Sequence, residues 1–314
     1  MALQVLILHH DAQQYHEPLA RSFPEVAFHA VHHGEDAKAV AERLDVIVGL
    51  GHHIPNDLIK AATNLRWIQA LTTGTETLTA PGVLPPHVLL TSTRGVHGPQ
   101  MSELAFLNMI ALNRNFRKMQ RNQAAAKWEP WNQPILEGKT IVIVGLGLLA
   151  EHLAARCKLF GMTTIGVSGG RNSAPHFDEV HPRRDLAKTA ARADFLMLLV
   201  PYSPQTHHLI DREVLAAMKP TAFLINLARG GVLDEAALIE HLQAGKIAGA
   251  GLDIFSTQPL PPDNPLWRMP NVIITPNIGG RSDNFVEQTT SVLEPNMQAY
   301  IDGRLKDLRN LVAR

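Results

Sequence analysis

Apolar positions along this chain follow two rhythms. Short unbroken runs of β-branched and aliphatic residues read as buried strands. The stretches between them repeat their apolar positions at three and four residues, as helices do. In order, the pattern predicts strand 4–9, helices near 14–22 and 36–43, strand 45–50, helix 56–62, and strands 66–71 and 88–91. Together these make one small α/β domain of roughly 95 residues, an ordinary domain size. A long apolar helical stretch follows, Met101 to about Ala126, suited to bridging two domains. The segment 128–138 holds two Trp, two Pro and one Gly and reads as a linker. From Thr140 the alternation sharpens. Strands 140–144, 164–167, 195–200, 222–228, 248–254 and 272–275 are separated by helices 148–160, 185–191, 211–218 and 234–243. The tail, 284–300, is helical in period, with Pro295 expected to kink it, and is expected to pack back on the first domain. Strand alternating with helix is the signature of α/β architecture with parallel sheets.

The 314 residues fit two domains. With 45% hydrophobic and 18% charged residues, disorder is excluded. Lys+Arg and Asp+Glu are both 29, so no charge excess favours nucleic acid or an anionic membrane surface as a partner. The longest apolar runs, Leu104–Leu112 and Phe195–Val200, fall well short of the roughly 18 residues a membrane span needs. Residues 1–8 read as a first strand rather than a leader, which leaves a cytoplasmic location as the expectation. The single cysteine, Cys157, excludes an intrachain disulfide; its apolar helical setting predicts an inert buried thiol. Sixteen histidines include four adjacent pairs, but none has the spacing of a zinc helix, so no metal is expected.

Strand 141–144 runs into Gly145-Leu146-Gly147-Leu148-Leu149-Ala150 and then a helix, a Gly-x-Gly-x-x-Ala turn. Gly145 permits the tight turn. Gly147 lets a pyrophosphate approach the backbone, and Ala150 lets helix and strand pack closely. The helix N-terminus offers free N–H groups to the phosphates. Strand, turn, helix and following strand agree, so a dinucleotide site is predicted. Strand 163–167 ends at Ser168-Gly169-Gly170-Arg171, with no carboxylate to grip a ribose 2′-hydroxyl. Ser168 leaves room for a 2′-phosphate and Arg171 is placed to pair with it, which favours NADPH over NADH.

Three further segments carry a family resemblance. Asn226-Leu227-Ala228-Arg229-Gly230, Gly249–Phe255 with Pro259-Leu260-Pro261, and the loop Pro201–Thr206 resemble motifs of the D-isomer-specific 2-hydroxyacid dehydrogenases, nearest the glyoxylate/hydroxypyruvate reductase branch. The resemblance implies two Rossmann-like/flavodoxin-like α/β domains with parallel sheets and a cleft between them. The substrate domain would be discontinuous, 1–100 plus 284–314, with the NAD(P)-binding domain, 101–283, inserted. It implies a homodimer and hydride transfer between NAD(P)H and a small 2-keto acid. It also implies roles. Arg229 would clamp the substrate carboxylate and polarise its carbonyl, and Thr73, Gly74 and Gly51 would line the carboxylate site. Gly145, Leu146, Gly147, Leu148, Leu149, Ser168, Arg171, Pro201, Thr206, Ala228, Arg229, Asp253 and Gly279 would line the cofactor site. Glu103 matches an acid of the bridging helix and reads as a structural carboxylate in its first turn.

The pattern breaks at the acid–base pair. The family has Glu-Pro-Leu-Pro where this chain has Gln258-Pro259-Leu260-Pro261, and Thr-Pro-His where it has Thr275-Pro276-Asn277. Neither amide titrates near neutral pH. A buried Glu without its His would be an unpaired charge, so the paired change is self-consistent, and an amide–amide hydrogen bond is expected. His97, His52 and His53, and more weakly Tyr202, are candidate substitutes for proton relay. Three readings follow: a keto-acid reductase with altered acid–base chemistry, a hydride reaction needing no proton transfer, or an NAD(P)-binding sensor or interaction module with impaired catalysis. Formate dehydrogenases of the superfamily carry the Gln but keep the His, which counts against the second.

Overall fold

The computed structural model describes residues 2–313. The elements are β1 (Gln4–Leu8), α1 (Ala12–Ser22), β2 (Ala27–Val31), β3 (Val46–Gly49), α2 (Asn56–Ala61), β4 (Trp67–Ala70), α3 (Glu76–Thr79), β5 (Leu89–Ser92), α4 (Gly98–Asn113) and α5 (Phe116–Ala124). There follow β6 (Thr140–Val144), α6 (Leu148–Leu159), β7 (Thr163–Ser168), β8 (Glu179–Pro182), α7 (Leu186–Ala190), β9 (Phe195–Leu198) and α8 (Arg212–Ala217). The last are β10 (Phe223–Asn226), α9 (Glu235–Gln243), β11 (Gly249–Leu252), β12 (Val272–Ile274) and α10 (Phe285–Ile301). The chain divides into two compact units, residues 2–96 with 282–313, and residues 97–281.

The first unit is a five-stranded parallel sheet in the order β2-β1-β3-β4-β5. Its inner strands β1 and β3 are apolar on both faces, as a parallel sheet covered by helices requires. One face packs Leu6, Ile47, Ile68 and Leu90 against Leu58 and Ile59 of α2. The other packs Val5, Ile7, Val48 and Trp67 against Tyr15 and Leu19 of α1 and Leu293 and Met297 of α10. The tail helix thus belongs to the first sheet. A buried polar chain locks it there. Trp67 Nε1 donates to Thr91 Oγ1 at 2.8 Å, and Thr91 Oγ1 donates to Gln69 Oε1 at 2.8 Å. Asn296 Nδ2 donates to the same Gln69 oxygen at 2.8 Å.

The second unit is a seven-stranded parallel sheet in the order β12-β11-β10-β9-β6-β7-β8. The order reverses between β6 and β9, the crevice where doubly wound sheets bind their ligands. Cys157 is buried here, and desolvation pushes its thiol up to about 12, as an inert thiol requires.

Several elements differ from expectation. The helical stretch from Met101 is two helices: α4 begins three residues earlier, and the chain breaks at Asn115. That residue adopts a left-handed φ of 54° and caps α5 by accepting from Lys118 N. Because α4 starts at Gly98, Glu103 is exposed in its second turn, not its first. The helix expected at 36–43 is two single-turn 3-10 segments, Gly34–Ala37 and Ala41–Arg43. The strands β2 and β8 were not foreseen. Both are half-buried edge strands whose mixed sequences, AFHAV and EVHP, lack a continuous apolar run. Pro295 lies inside α10, which continues through it because Val292, Leu293, Asn296 and Met297 are buried on either side.

Candidate active site

The phosphate-binding turn is built on the end of β6. Gly145 has φ +97°, and a Cβ there would lie 2.6 Å from Val200 Cα and N; only glycine fits. A Cβ on Gly147 would meet nothing within 4 Å, the open backbone that an approaching pyrophosphate needs. Gly147 is the N-cap of α6, while Ala150 is fully buried against the sheet. Leu146 is buried, and Leu148 is half exposed at the helix start, beside Leu149. These residues therefore fit a dinucleotide cradle on their own geometry.

The next turn holds Ser168 and Arg171. Ser168 Oγ accepts from the backbone N of Gly170 and Arg171 at 3.2 and 3.0 Å, so it shapes the loop. Arg171 Nη1 donates to Leu146 O at 2.7 Å and pairs with Glu151 at 2.6 Å, strapping this loop to the glycine turn. A second guanidinium, which sequence reasoning passed over, lies alongside: a Cβ on Gly169 would sit 3.0 Å from Arg183 Cζ. Arg183 follows β8, the unforeseen edge strand, so nothing in the sequence placed it here.

At the end of β10 the side chain of Asn226, fully buried, braces the turn that carries Arg229. Its Oδ1 accepts from Ala228 N at 3.0 Å and its Nδ2 donates to Arg229 O at 3.3 Å. Arg229 Nη1 donates to Ala228 O at 2.8 Å. Gly230 is obligatory because a Cβ would collide with the Phe255 carbonyl, and Gly231 lies against the Tyr202 ring. Thr206 is buried and its hydroxyl bonds Pro201 O at 2.8 Å and Ser203 N at 2.7 Å, so its observed role is to shape the Pro201–Thr206 loop.

Asp253, buried after β11, organises the third part of the site. Its carboxylate accepts from Thr275 Oγ1 at 2.6 Å, and from Ile278 N and Gly279 N at 3.0 Å each. The loop carrying Asn277 is thereby fixed. Asn277 has φ 54°, a conformation asparagine tolerates. Its Nδ2 donates to Gln258 Oε1 at 3.3 Å, the expected amide–amide contact. Gln258 Nε2 donates in turn to Phe255 O at 3.2 Å, a contact a carboxylate could not make. His97, the N-cap of α4, is buried, and a Cβ on Gly280 would lie 3.5 Å from its ring. Burial pulls its imidazole down to about 4, so at neutral pH the ring is uncharged.

In the first unit, Gly51 and the Thr72–Gly74 turn come together at the ends of β3 and β4. Thr72 Oγ1 donates to Gly74 O at 2.7 Å, and a Cβ on Gly51 would lie 3.2 Å from Thr72 Oγ1. Thr73 is exposed on this turn. His52 and His53 are exposed beside Gly51, their rings 4.3 Å apart.

Comparison with known proteins bears on this geometry. The model of the D-isomer specific 2-hydroxyacid dehydrogenase NAD binding domain matches residues 106–279. The chain is 32% identical over 287 residues to glyoxylate/hydroxypyruvate reductase B of Pectobacterium atrosepticum, covering 90% of this chain and 88% of that protein. The chain belongs to the D-isomer-specific 2-hydroxyacid dehydrogenase family. Among solved structures, a member of this family from Aeromonas salmonicida superposes with a TM-score of 0.92 at 29% identity, covering 100% of this chain and 99% of that one. The NADPH-dependent glyoxylate/hydroxypyruvate reductase of Sinorhizobium meliloti, solved with NADP and sulfate, gives 0.83 at 26% identity, covering 99% and 98%. The second unit is thus the family's NAD(P)-binding domain. Among the described residues no helix is long and apolar enough to cross a membrane.

Proposed function

We propose that this protein is an NADPH-dependent reductase of small 2-keto acids whose proton chemistry has been altered at Gln258 and Asn277. The observation that carries the reading is the contrast within one unit. The glycine turn is open and Asn226 braces the turn of Arg229, while Gln258 and Asn277 pair as neutral amides where the resemblance puts an acid and a base. Bound NADPH would supply the hydride. Arg229 would hold the substrate carboxylate through its planar guanidinium. One Nδ2 hydrogen of Asn277 is directed to Gln258; the other is available to polarise the ketone oxygen. Neither amide releases a proton at neutral pH, and His97 stores none there, so the alkoxide would take its proton from water, with His97 at most relaying it.

Preference for NADPH is supported by the lack of a carboxylate after β7 and by the Arg183 guanidinium against Gly169, a cation for a 2′-phosphate. The Sinorhizobium relative's complex with NADP agrees. The lack of any cysteine pair fits a cytoplasmic setting. The homodimer is supported by an apolar surface on the second unit. Leu107, Ile110, Phe116, Ile135 and Leu159 are exposed there, and Trp128 is 97% exposed. A groove of about 580 Å³, lined by Ile110, Ile135, Leu159 and Phe160, offers the complement within the same chain, as a two-fold interface requires.

A second reading, an NAD(P)-binding sensor or interaction module with impaired catalysis, draws on the same amide pair. Steady-state NADPH oxidation with glyoxylate, hydroxypyruvate and larger 2-keto acids separates the two. The reductase reading expects turnover with no titration near pH 7. Tight NADPH binding with no turnover above background for any keto acid would overturn it in favour of the second. The Gln258→Glu/Asn277→His double variant calibrates the site. Restoring a positioned acid is expected to raise kcat by about 10²- to 10⁴-fold; a fall would mean the amides serve the native reaction.

A further inference from the structure

We infer a divalent transition-metal site at the junction of β1 and α1, formed by His9, His10 and Asp11, separate from the cofactor cradle and suited to zinc. Among the described residues this is the one group of three His, Cys, Asp or Glu side chains whose donor atoms all lie within 4.8 Å of one another. His10 Nε2 is 3.0 Å from Asp11 Oδ2, and His9 Nδ1 is 3.9 Å from the same oxygen. Tetrahedral zinc with bonds near 2.0–2.1 Å holds its donors about 3.3 Å apart, between these two values. Two imidazoles and a carboxylate form a set that zinc, cobalt and nickel accept and that magnesium and calcium do not favour.

The residues that carry the donors are held in place. The His9 side chain is fully inaccessible, edge-on to Tyr15 at 5.3 Å and stacked with Phe285 at 6.0 Å. Its main chain is tied to β2 through His9 N to Val31 O at 3.1 Å. His32 Nδ1 bonds the carbonyl of His10 at 3.0 Å, fixing the residue that bears the second ring. Asp11 is the N-cap of α1, yet its side chain accepts no cap hydrogen bond from the helix. Instead Gln14 Nε2 donates to Oδ1 at 3.2 Å, while Oδ2 is turned toward the two imidazoles. That division, one oxygen held by an outer amide and the other toward the metal position, is how monodentate carboxylate ligands are oriented. His9 Nδ1 accepts from Asp11 N at 3.0 Å. Binding an ion exchanges this bond for a coordinate bond at an unprotonated nitrogen. The site lies at the C-terminal edge of the first sheet, two strands from the Thr72–Gly74 turn, about 10 Å away at the usual strand spacing.

The full-length protein, stripped with a chelator, is titrated with zinc chloride by calorimetry and with cobalt chloride by visible absorption. The expected result is one saturable equivalent per chain and an intense tetrahedral cobalt spectrum. His10→Ala and Asp11→Asn, both at accessible side chains, should each weaken zinc at least tenfold and abolish that spectrum. A His207→Ala/His208→Ala variant, removing a stacked surface pair elsewhere, should change neither. Zinc should raise Tm in the parent chain and not in the two site variants. Non-saturating uptake, or equal affinity in His10→Ala and Asp11→Asn, would mean adventitious binding at surface histidines only and overturn the proposal.

Discussion

The cofactor cradle and the Gln258–Asn277 corner lie in one unit and are built differently. The cradle works through backbone: amides at the N-terminus of α6, a left-handed Gly145 and an uncrowded Gly147. Such a site tolerates few changes, because a Cβ at Gly145 would collide with the Val200 backbone. The corner works through two side chains, Gln258 after β11 and Asn277 on the loop after β12 that Asp253 holds by three hydrogen bonds. There the side chains can change in step while the loop stays. Gln258 and Asn277 are a neutral amide pair, and the loop carrying Asn277 is held by Asp253.

The largest effect that would test this contrast comes from the cradle. Gly145→Val forces a β-branched residue into φ +97° and against the Val200 backbone. It should destabilise the protein by more than about 3 kcal/mol and abolish NADPH binding, read by thermal unfolding and nucleotide fluorescence. Arg229→Gln should lower kcat/KM by about 10²- to 10³-fold while leaving NADPH affinity little changed, since it removes charge stabilisation at the substrate. Equal losses in both would merge the two regions. His97 supplies the pH test. Its folded value, about 4, lies below the unfolded 6.5, so the unfolded chain binds more protons between those values. Stability is then full above pH 6.5 and falls by roughly 3 kcal/mol as pH drops to 4. Urea unfolding of His97→Gln should lose that component and leave the pH 7 rate nearly unchanged. The smallest effect is at the cradle's rim: Arg183→Ala should weaken NADPH about tenfold, about 1.4 kcal/mol, and leave NADH alone.

Much of the fold was readable because parallel strands buried on both faces are continuous apolar runs. Val5–Leu8, Ile141–Val144 and Leu224–Ile225 announce themselves. β2 and β8 did not, since an edge strand needs only one partner and half its burial. The break at Asn115 is a backbone event that periodicity does not carry. Within the site, the glycine turn and the motif around Arg229 were legible because backbone constraints dictate residue type. Arg183 was not, because its place beside Gly169 depends on β8 pairing with β7. Nor was the cluster at His9–Asp11. Adjacent histidines in a sequence say nothing of direction, and the turn from β1 into α1 alone brings three donors to one point.

By itself the sequence determined that this chain folds into parallel α/β sheets with a dinucleotide turn, and that no imidazole or carboxylate occupies positions 258 and 277. These are matters of residue type at fixed spacing. The tertiary structure decided which groups each residue faces. It gave Arg171 to Glu151 and Asp253 to the Asn277 loop, and it made the His97 ring neutral. Hydrogen-bond partners and desolvation depend on distances between segments far apart in the chain, and only the packed sheets set those distances.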